Sequence, residues 1–250
     1  MKAAAILPAR LHSTRLARKM LLAETGRTLI EHSARNAIQS GVFERVVVAT
    51  DSREIMEALE TAGIEAVMTR DDHQSGTDRV REAVADLGFS DFDVVVNVQG
   101  DEPELAREDL VQLVNAFSEE EVEIATLCSA LASPAEFASA QVVKVVRDSR
   151  GYALYFSRAA IPSTAHARPG SPAPTLLRHV GVYAFRPAAL ERCCNLPLGV
   201  LERIENLEQL RWLEAGLKLR VLDATSTSVG IDTRSDYDAF VARTQARGAA

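Results

Sequence analysis

Residues 3–19 read AAAILPARLHSTRLARK, and the change of character inside that stretch decides the fold. Residues 3–7 form a continuous apolar run, too short for a helix and suited to a strand covered on both faces. Runs of the same kind recur at 46–49, 64–68 and 94–98, rich in Val and Ile. Between them the apolar residues fall at helical spacing: Ile30, Ala34, Ala37 and Ile38 before Gly41; Ile55, Met56 and Leu59 before Gly63; Val80, Ala83, Val84 and Leu87 before Gly88. Glycine after each last turn suits a left-handed C-cap. Strand and helix therefore alternate through the first half. Right-handed crossovers then stack helices on both faces of a mostly parallel sheet, an α/β three-layer sandwich.

From about Gln141 the pattern changes. Residues 142–146 and 152–156 are separated by Asp148, Ser149, Arg150 and Gly151, a hairpin signal, so antiparallel pairing enters here. Residues 163–175 hold Pro169, Gly170, Pro172 and Pro174 without periodicity and are expected as loop. Leu201, Ile204, Leu207, Leu210 and Leu213 predict one long helix over 201–213, followed by a strand at 217–222. The reading is one domain spanning 1–250, with an antiparallel and loop excursion around 141–186.

Composition excludes several classes. The chain has 250 residues, 28 Lys+Arg against 35 Asp+Glu for a net charge of −7, and 47% hydrophobic residues. At that length roughly three quarters of the unfolded surface becomes buried, so no staples are needed. The acidic balance argues against nucleic acid or an anionic membrane bound through bulk charge. No run reaches the roughly 18 apolar residues of a membrane span. The N-terminal apolar run stops at Pro8 with arginines following, unlike a secretory signal, so a cytoplasmic location is expected. Cys128, Cys193 and Cys194 have neither zinc nor CxxC spacing and read as reduced packing residues.

In an open parallel sheet ligands sit at the carboxyl ends of strands. After the first strand, Arg10, Arg15, Arg18 and Lys19 fall within ten residues beside Ser13 and Thr14, in an acidic protein. Such a set suits a triphosphate, since Arg chelates phosphate oxygens and Lys supplies a point charge; the alternative is a solvated basic loop. It is neither a Walker sequence nor GxGxxG. After 94–98, Asp101 and Glu102 are placed to hold Mg2+ that keeps waters and phosphates as its other ligands, or simply to form a turn, and Gly100 lets backbone approach a ligand. Asp232, in VGIDT, is either a third such carboxylate or part of a helix N-terminal signal. His179, Gly181 and Tyr183 share one face of a strand and could line a pocket for a polyhydroxylated acid, or His179 is a satisfied structural residue.

With those residues in view, the chain resembles the 3-deoxy-manno-octulosonate (Kdo) cytidylyltransferases almost end to end. The segments are PARLHSTRLARK, VATD, MTRDDHQSGTDR, VNVQGDEP, VVKVVRD, GYALYFSRAAIP, RHVGVYAFR, PLGVLERIENLEQLRWLEAG and VGIDT. The resemblance implies a nucleotide-diphospho-sugar-transferase-like fold whose antiparallel insertion serves dimerisation. The implied reaction is CTP plus Kdo giving CMP-Kdo and pyrophosphate, with a product that feeds lipopolysaccharide assembly; a cytidylyltransferase for 8-amino-Kdo or a sialic acid is the alternative. It further implies a CTP loop of Pro8, Ala9, Arg10, Ser13, Thr14, Arg15 and Lys19, with Gln74, Ser75, Gly76, Thr77, Arg79 and Gln99 also on the nucleotide side. Asp101 and Asp232 match magnesium carboxylates. Gln99, Arg158, His179, Tyr183, Glu208 and Gln209 match positions for the sugar acid. Lys19, Arg15, Asp101 and Asp232 are expected to carry catalysis. One departure stands out: Ala17 and Arg18 replace the family's usual Pro-Gly.

Overall fold

The computed structural model describes residues 1–13, 15–163, 165–168, 170, 175–226 and 230–248. Thr14 of the expected CTP loop, and Thr164, Pro169 and residues 171–174 of the proline-rich stretch, lie outside the described residues.

The four apolar runs become β1 (Ala3–Ala9), β2 (Arg45–Thr50), β3 (Ala66–Met68) and β4 (Val94–Asn97), paired in parallel in the order β3, β2, β1, β4. Between them stand α1 (Leu29–Ser40), α2 (Arg53–Thr61) and α3 (Gly76–Asp86). The hydroxyls of Thr28, Ser52 and Ser75 open these helices by accepting a first-turn amide N–H. Gly41, Gly63 and Gly88 follow them with φ of 67°, 68° and 67°, the left-handed conformation their spacing foretells. All seven residues of β1 are buried. Ala3, Ala5 and Leu7 face Ile30, Ala34, Ile55 and Leu59 on one side, while Ala4 and Ile6 face Val80 and Ala83 on the other. Two apolar layers thus flank one sheet, which is why the strand reads as unbroken hydrophobicity.

The chain continues through α4 (Arg107–Asn115), β5 (Ile124–Ala130), the short α5 (Pro134–Ala138), the hairpin β6 (Lys144–Arg147) and β7 (Ala153–Ser157), and β8 (Leu177–Phe185). It ends with α6 (Pro187–Asn195), α7 (Val200–Glu205), α8 (Gln209–Glu214), β9 (Arg220–Asp223) and α9 (Arg234–Gly248). The sheet order is β3-β2-β1-β4-β8-β5-β9, with β8 antiparallel to both its neighbours and every other pair on that path parallel. Within 141–186, the hairpin β6–β7 lies off this path, joined to the start of β8, whereas β8 itself sits inside the main sheet.

Three expectations shift. The hairpin's first strand starts at Lys144, because the Val142 carbonyl accepts from the Lys144 ammonium at 2.6 Å instead of from a ladder amide. The last strand begins at Arg220 and not Leu217. The single helix over 201–213 is two helices, α7 and α8, broken at Asn206, whose φ is 53°. Its apolar stripe survives the break at Leu207, Leu210 and Leu213, but Ile204 turns out to solvent, 74% exposed. Among the described residues no helix is long and apolar enough to cross a membrane.

Candidate active site

The carboxyl ends of β1 and β4 bring the first loop and the QGDE turn together, and Gly100 explains how closely. A Cβ there would lie 3.0 Å from the Pro8 carbonyl oxygen and 3.0 Å from Ile30 Cδ1. Gly100 thus lets the turn close onto the end of β1 and onto α1, and Ser33 Oγ fixes it by donating to the Gly100 carbonyl at 2.7 Å. The backbone N–H of Ile231 donates to the Asp101 carbonyl at 2.9 Å, so Asp232 arrives beside Asp101 from a distant part of the chain. Thr233, not Asp232, opens α9: its hydroxyl accepts from the Asp236 N–H at 3.2 Å, while Asp236 Oδ2 accepts from the Thr233 N–H at 2.8 Å. That leaves the Asp232 carboxylate to the site.

Lys19, 6% exposed, spans the two carboxylates. Its Nζ donates to Asp101 Oδ2 at 2.6 Å and to Asp232 Oδ1 at 3.2 Å. Arg15 reaches the same Asp232 oxygen at 3.0 Å. Two hard oxygen donors converging on one cation position suit a magnesium ion that keeps its remaining ligands as water and phosphate. Around them opens a cleft of about 390 Å³ lined by Pro8, Arg10, Ser13, Gly76 and Gln99 as well as by Arg15, Lys19 and both aspartates.

Arg18, which stands where the resemblance implies a glycine, holds φ at 53° and ψ at 29°, a left-handed turn. Its guanidinium pairs with Glu54, outside this cleft. Other expected residues lie outside the lining of this cleft. Ala9 is fully buried in β1. Arg79 is also fully buried, its guanidinium donating to Asp51 Oδ2 at 2.6 Å and to Thr69 Oγ1 at 2.5 Å. Gln74 is exposed and donates to the Asp72 carbonyl at 3.0 Å, and Ser75 caps α3.

A second cleft, about 620 Å³, shares Arg15 and Asp232 with the first and is lined further by Gln141, Val143, His179 and Gly181. The parity reading of β8 holds, since the His179 and Tyr183 ring centroids lie 5.3 Å apart. Thr126 in β5 sets the imidazole. Its one hydroxyl proton goes to the Val182 carbonyl at 2.7 Å, so at 2.9 Å it accepts from Nε2–H of His179, leaving Nδ1 as an acceptor. Burial, and then the neighbouring Arg178, lower the His179 pKa from 6.5 to about 3, so the ring is neutral. Tyr183 packs edge-on against Trp212 at 5.2 Å, and burial raises its hydroxyl pKa well above the ordinary value, with Glu208 adding to the effect.

Glu208 accepts from Thr77 Oγ1 at 2.5 Å, and Gln209 is buried beside it. Arg158 is not brought into either cleft: its guanidinium donates to the carbonyls of Glu205, at 2.8 Å, and Ala140, at 3.1 Å. Thr126, Asn97 and Trp212 escaped the sequence reading. Thr126 belongs to β5, whose run follows the acidic stretch 119–123, and its apolar residues were the available signal.

Known proteins resemble this chain along almost its whole length. The family model described as Cytidylyltransferase matches residues 4–219. A 3-deoxy-manno-octulosonate cytidylyltransferase of Porphyromonas gingivalis is 40% identical, covering 98% of this chain and 97% of the relative. One from Yersinia pseudotuberculosis is 43% identical over 94% of this chain and 95% of the relative. The solved structure of CMP:2-keto-3-deoxy-manno-octonic acid synthetase complexed with CTP superposes with a TM-score of 0.91 at 37% identity, covering 99% of this chain and all of the other.

Proposed function

The chain belongs to the 3-deoxy-manno-octulosonate cytidylyltransferases, and from that premise we propose how its residues carry CMP from CTP to Kdo. The enzyme is a nucleotidyltransferase: the anomeric hydroxyl of Kdo attacks the α-phosphorus of CTP, a new O–P bond forms, and pyrophosphate leaves. One observation carries the assignment of parts, namely Lys19 bound between Asp101 and Asp232 where the two clefts meet. The smaller cleft takes the triphosphate and the larger one the sugar.

In such a transfer the protein positions and neutralises more than it bonds. Arg10, Arg15 and Ser13 bind phosphate oxygens. Asp101 and Asp232 would hold Mg2+, which supplies charge on the phosphates and a lower pKa for the attacking hydroxyl. When those carboxylates are so engaged, the Lys19 ammonium turns to the leaving pyrophosphate. His179 Nδ1 accepts from a sugar hydroxyl, and Tyr183 closes the wall behind it. A nucleotide-activated acid sugar of this kind suits a cytoplasmic enzyme that feeds lipopolysaccharide assembly.

A homodimer is part of the same reading. Leu154 in β7, at 62% exposure, and Leu198, Val200 and Ile204 in and beside α7, at 57%, 59% and 74%, are large apolar side chains left in solvent on and near the hairpin. Ile204→Glu together with Leu154→Glu is expected to give a monomer by sedimentation equilibrium; an unchanged mass would remove the hairpin from the interface.

The decisive assay is pyrophosphate release with CTP, Mg2+ and Kdo, beside the other three nucleotides, 8-amino-Kdo and a sialic acid. Release with CTP and Kdo alone is expected. Release only with another acid sugar would move the sugar assignment and keep the metal site, and no release with any pair would overturn the proposed roles.

A further inference from the structure

Behind Gln99 runs a chain of side-chain hydrogen bonds that crosses three elements remote in sequence. Gln99 Nε2 donates to Asn97 Oδ1 at 3.3 Å; Asn97 Nδ2 donates to Thr77 Oγ1 at 3.3 Å; Thr77 Oγ1 donates to Glu208 Oε1 at 2.5 Å. Asn97 has no exposed surface and Thr77 is 2% exposed, so water cannot substitute at the middle links. The chain joins the end of β4, the first turn of α3 and the residue that opens α8.

The direction of every link is fixed from one end. Burial raises the Glu208 pKa, and the hydrogen bond from Thr77 opposes that rise by favouring the carboxylate; the carboxylate only accepts, so Thr77 Oγ1 gives it its single proton. Thr77 can then only accept from its other neighbour, which turns the Asn97 amide so that nitrogen faces Thr77 and oxygen faces Gln99. The Gln99 amide must in turn offer nitrogen inward. Its carbonyl oxygen is the atom left to the phosphate-side cleft that Gln99 lines.

We propose that Thr77 and Asn97 are positioning residues that, anchored on Glu208, set the Gln99 amide so that it presents an acceptor to a hydrogen-bond donor of the substrates. That donor is an N–H or O–H group, from the amino group of the cytosine or from a hydroxyl of the sugar. The proposal rests on the transferase reading for the identity of the ligands, but not for the polarity of the relay. An acceptor held rigidly discriminates more sharply than one free to rotate, because the wrong partner leaves two lone-pair-bearing groups facing each other.

The test is a double-mutant cycle on Thr77→Val, which keeps shape and loses the hydroxyl, and Gln99→Ala, read as KM and kcat for CTP and Kdo and as the affinity of each measured by calorimetry. Thr77→Val is expected to weaken one ligand about 10-fold with kcat within about 3-fold, and to have no further effect once Gln99 is Ala. Weakening of CTP identifies the base amino group; weakening of Kdo identifies a sugar hydroxyl. Asn97→Asp, which sets an acceptor against the Thr77 oxygen, is expected to behave as Thr77→Val, and Thr77→Ser to restore affinity even if Thr77→Val folds poorly. Effects of Thr77→Val and Gln99→Ala that multiply, or unchanged affinity for both ligands in Thr77→Val, would overturn the relay. Calorimetry needs no turnover, so an unaltered protein that binds CTP without releasing pyrophosphate would count against the reaction and leave the relay standing on its own result.

Discussion

The two clefts that meet at Arg15 and Asp232 are built on opposite principles. On the phosphate side the walls are charges carried by a loop, with Lys19 and Arg15 already paired to carboxylates. On the sugar side the wall is β8, where His179 and Tyr183 are held neutral, the His179 pKa falling to about 3 and that of Tyr183 rising, while Arg178 and Glu102 add charge to the lining. Coulomb forces fall off slowly with distance, whereas a hydrogen bond weakens steeply with angle. On the proposed reading the first cleft gathers a highly charged group whose charge shifts during the reaction, and the second checks the hydroxyl directions of the sugar that attacks it. Substitutions on the two sides should fail differently, in turnover on one and in binding on the other.

The largest effect is expected at Lys19. Lys19→Met should lower turnover by roughly 10²–10³-fold, since it removes a preset charge where charge develops. It should also tighten Mn2+ binding to the nucleotide-free protein, measured by electron paramagnetic resonance, because the ammonium no longer shares the two carboxylates. Turnover near that of the unaltered protein would erase the contrast between the clefts. Asp101→Asn comes next, at about 10²-fold in turnover with CTP affinity changed much less; lost CTP affinity with turnover unchanged would place Asp101 in ground-state binding alone.

On the sugar side His179→Gln should raise KM for the sugar acid about 10-fold and leave KM for CTP unchanged. Its pH signature is separate. The imidazole pKa is near 3 in the folded chain against an ordinary 6.5, so below 6.5 the unfolded state takes up a proton that the native state refuses. Stability present above that value is lost as pH falls toward 3, by at most about 1.4 kcal/mol per pH unit from this group. Chemical denaturation of the unaltered protein and of His179→Gln across pH 7 to 4 should show the variant losing less. Parallel curves would mean that His179 takes up a proton in the folded chain and is not held neutral there.

The same division explains what the amino-acid sequence makes legible. The parallel half reads directly because each strand is buried on both faces and each helix carries its own cap and its own glycine, all local signals. Lys19, Asp101 and Asp232 are legible as residues at strand ends, while their convergence depends on the Ile231 N–H bond to Asp101, a contact between segments 130 residues apart in numbering. The second half hides more. Leu201 through Leu213 keep a helical period across a break that only the backbone of Asn206 reveals, because side chains on both short helices still face one core. Arg158 matches a family motif by position, yet its guanidinium lies on the carbonyls of Glu205 and Ala140, a choice made by tertiary packing. Thr126 acts through a lone pair on a neighbouring strand, which no spacing within its own segment encodes.

The smallest expected effect tests how the first cleft keeps its shape without the family's glycine. Arg18 holds the left-handed φ of 53° that glycine adopts without strain and a residue with a Cβ resists. Its side chain compensates by pairing with Glu54, an ion pair in the open where solvent screens it. Arg18→Gly loses the pair and the strain together, while Arg18→Ala loses the pair and keeps the strain. The expected order of thermal midpoints is therefore Gly close to the unaltered protein and Ala about 2 °C below both. Because the guanidinium faces Glu54 and not the phosphate cleft, CTP affinity should follow the backbone and not the charge: unchanged in Gly, slightly weaker in Ala. Equal weakening in both variants would instead make Arg18 one more cation of the phosphate side.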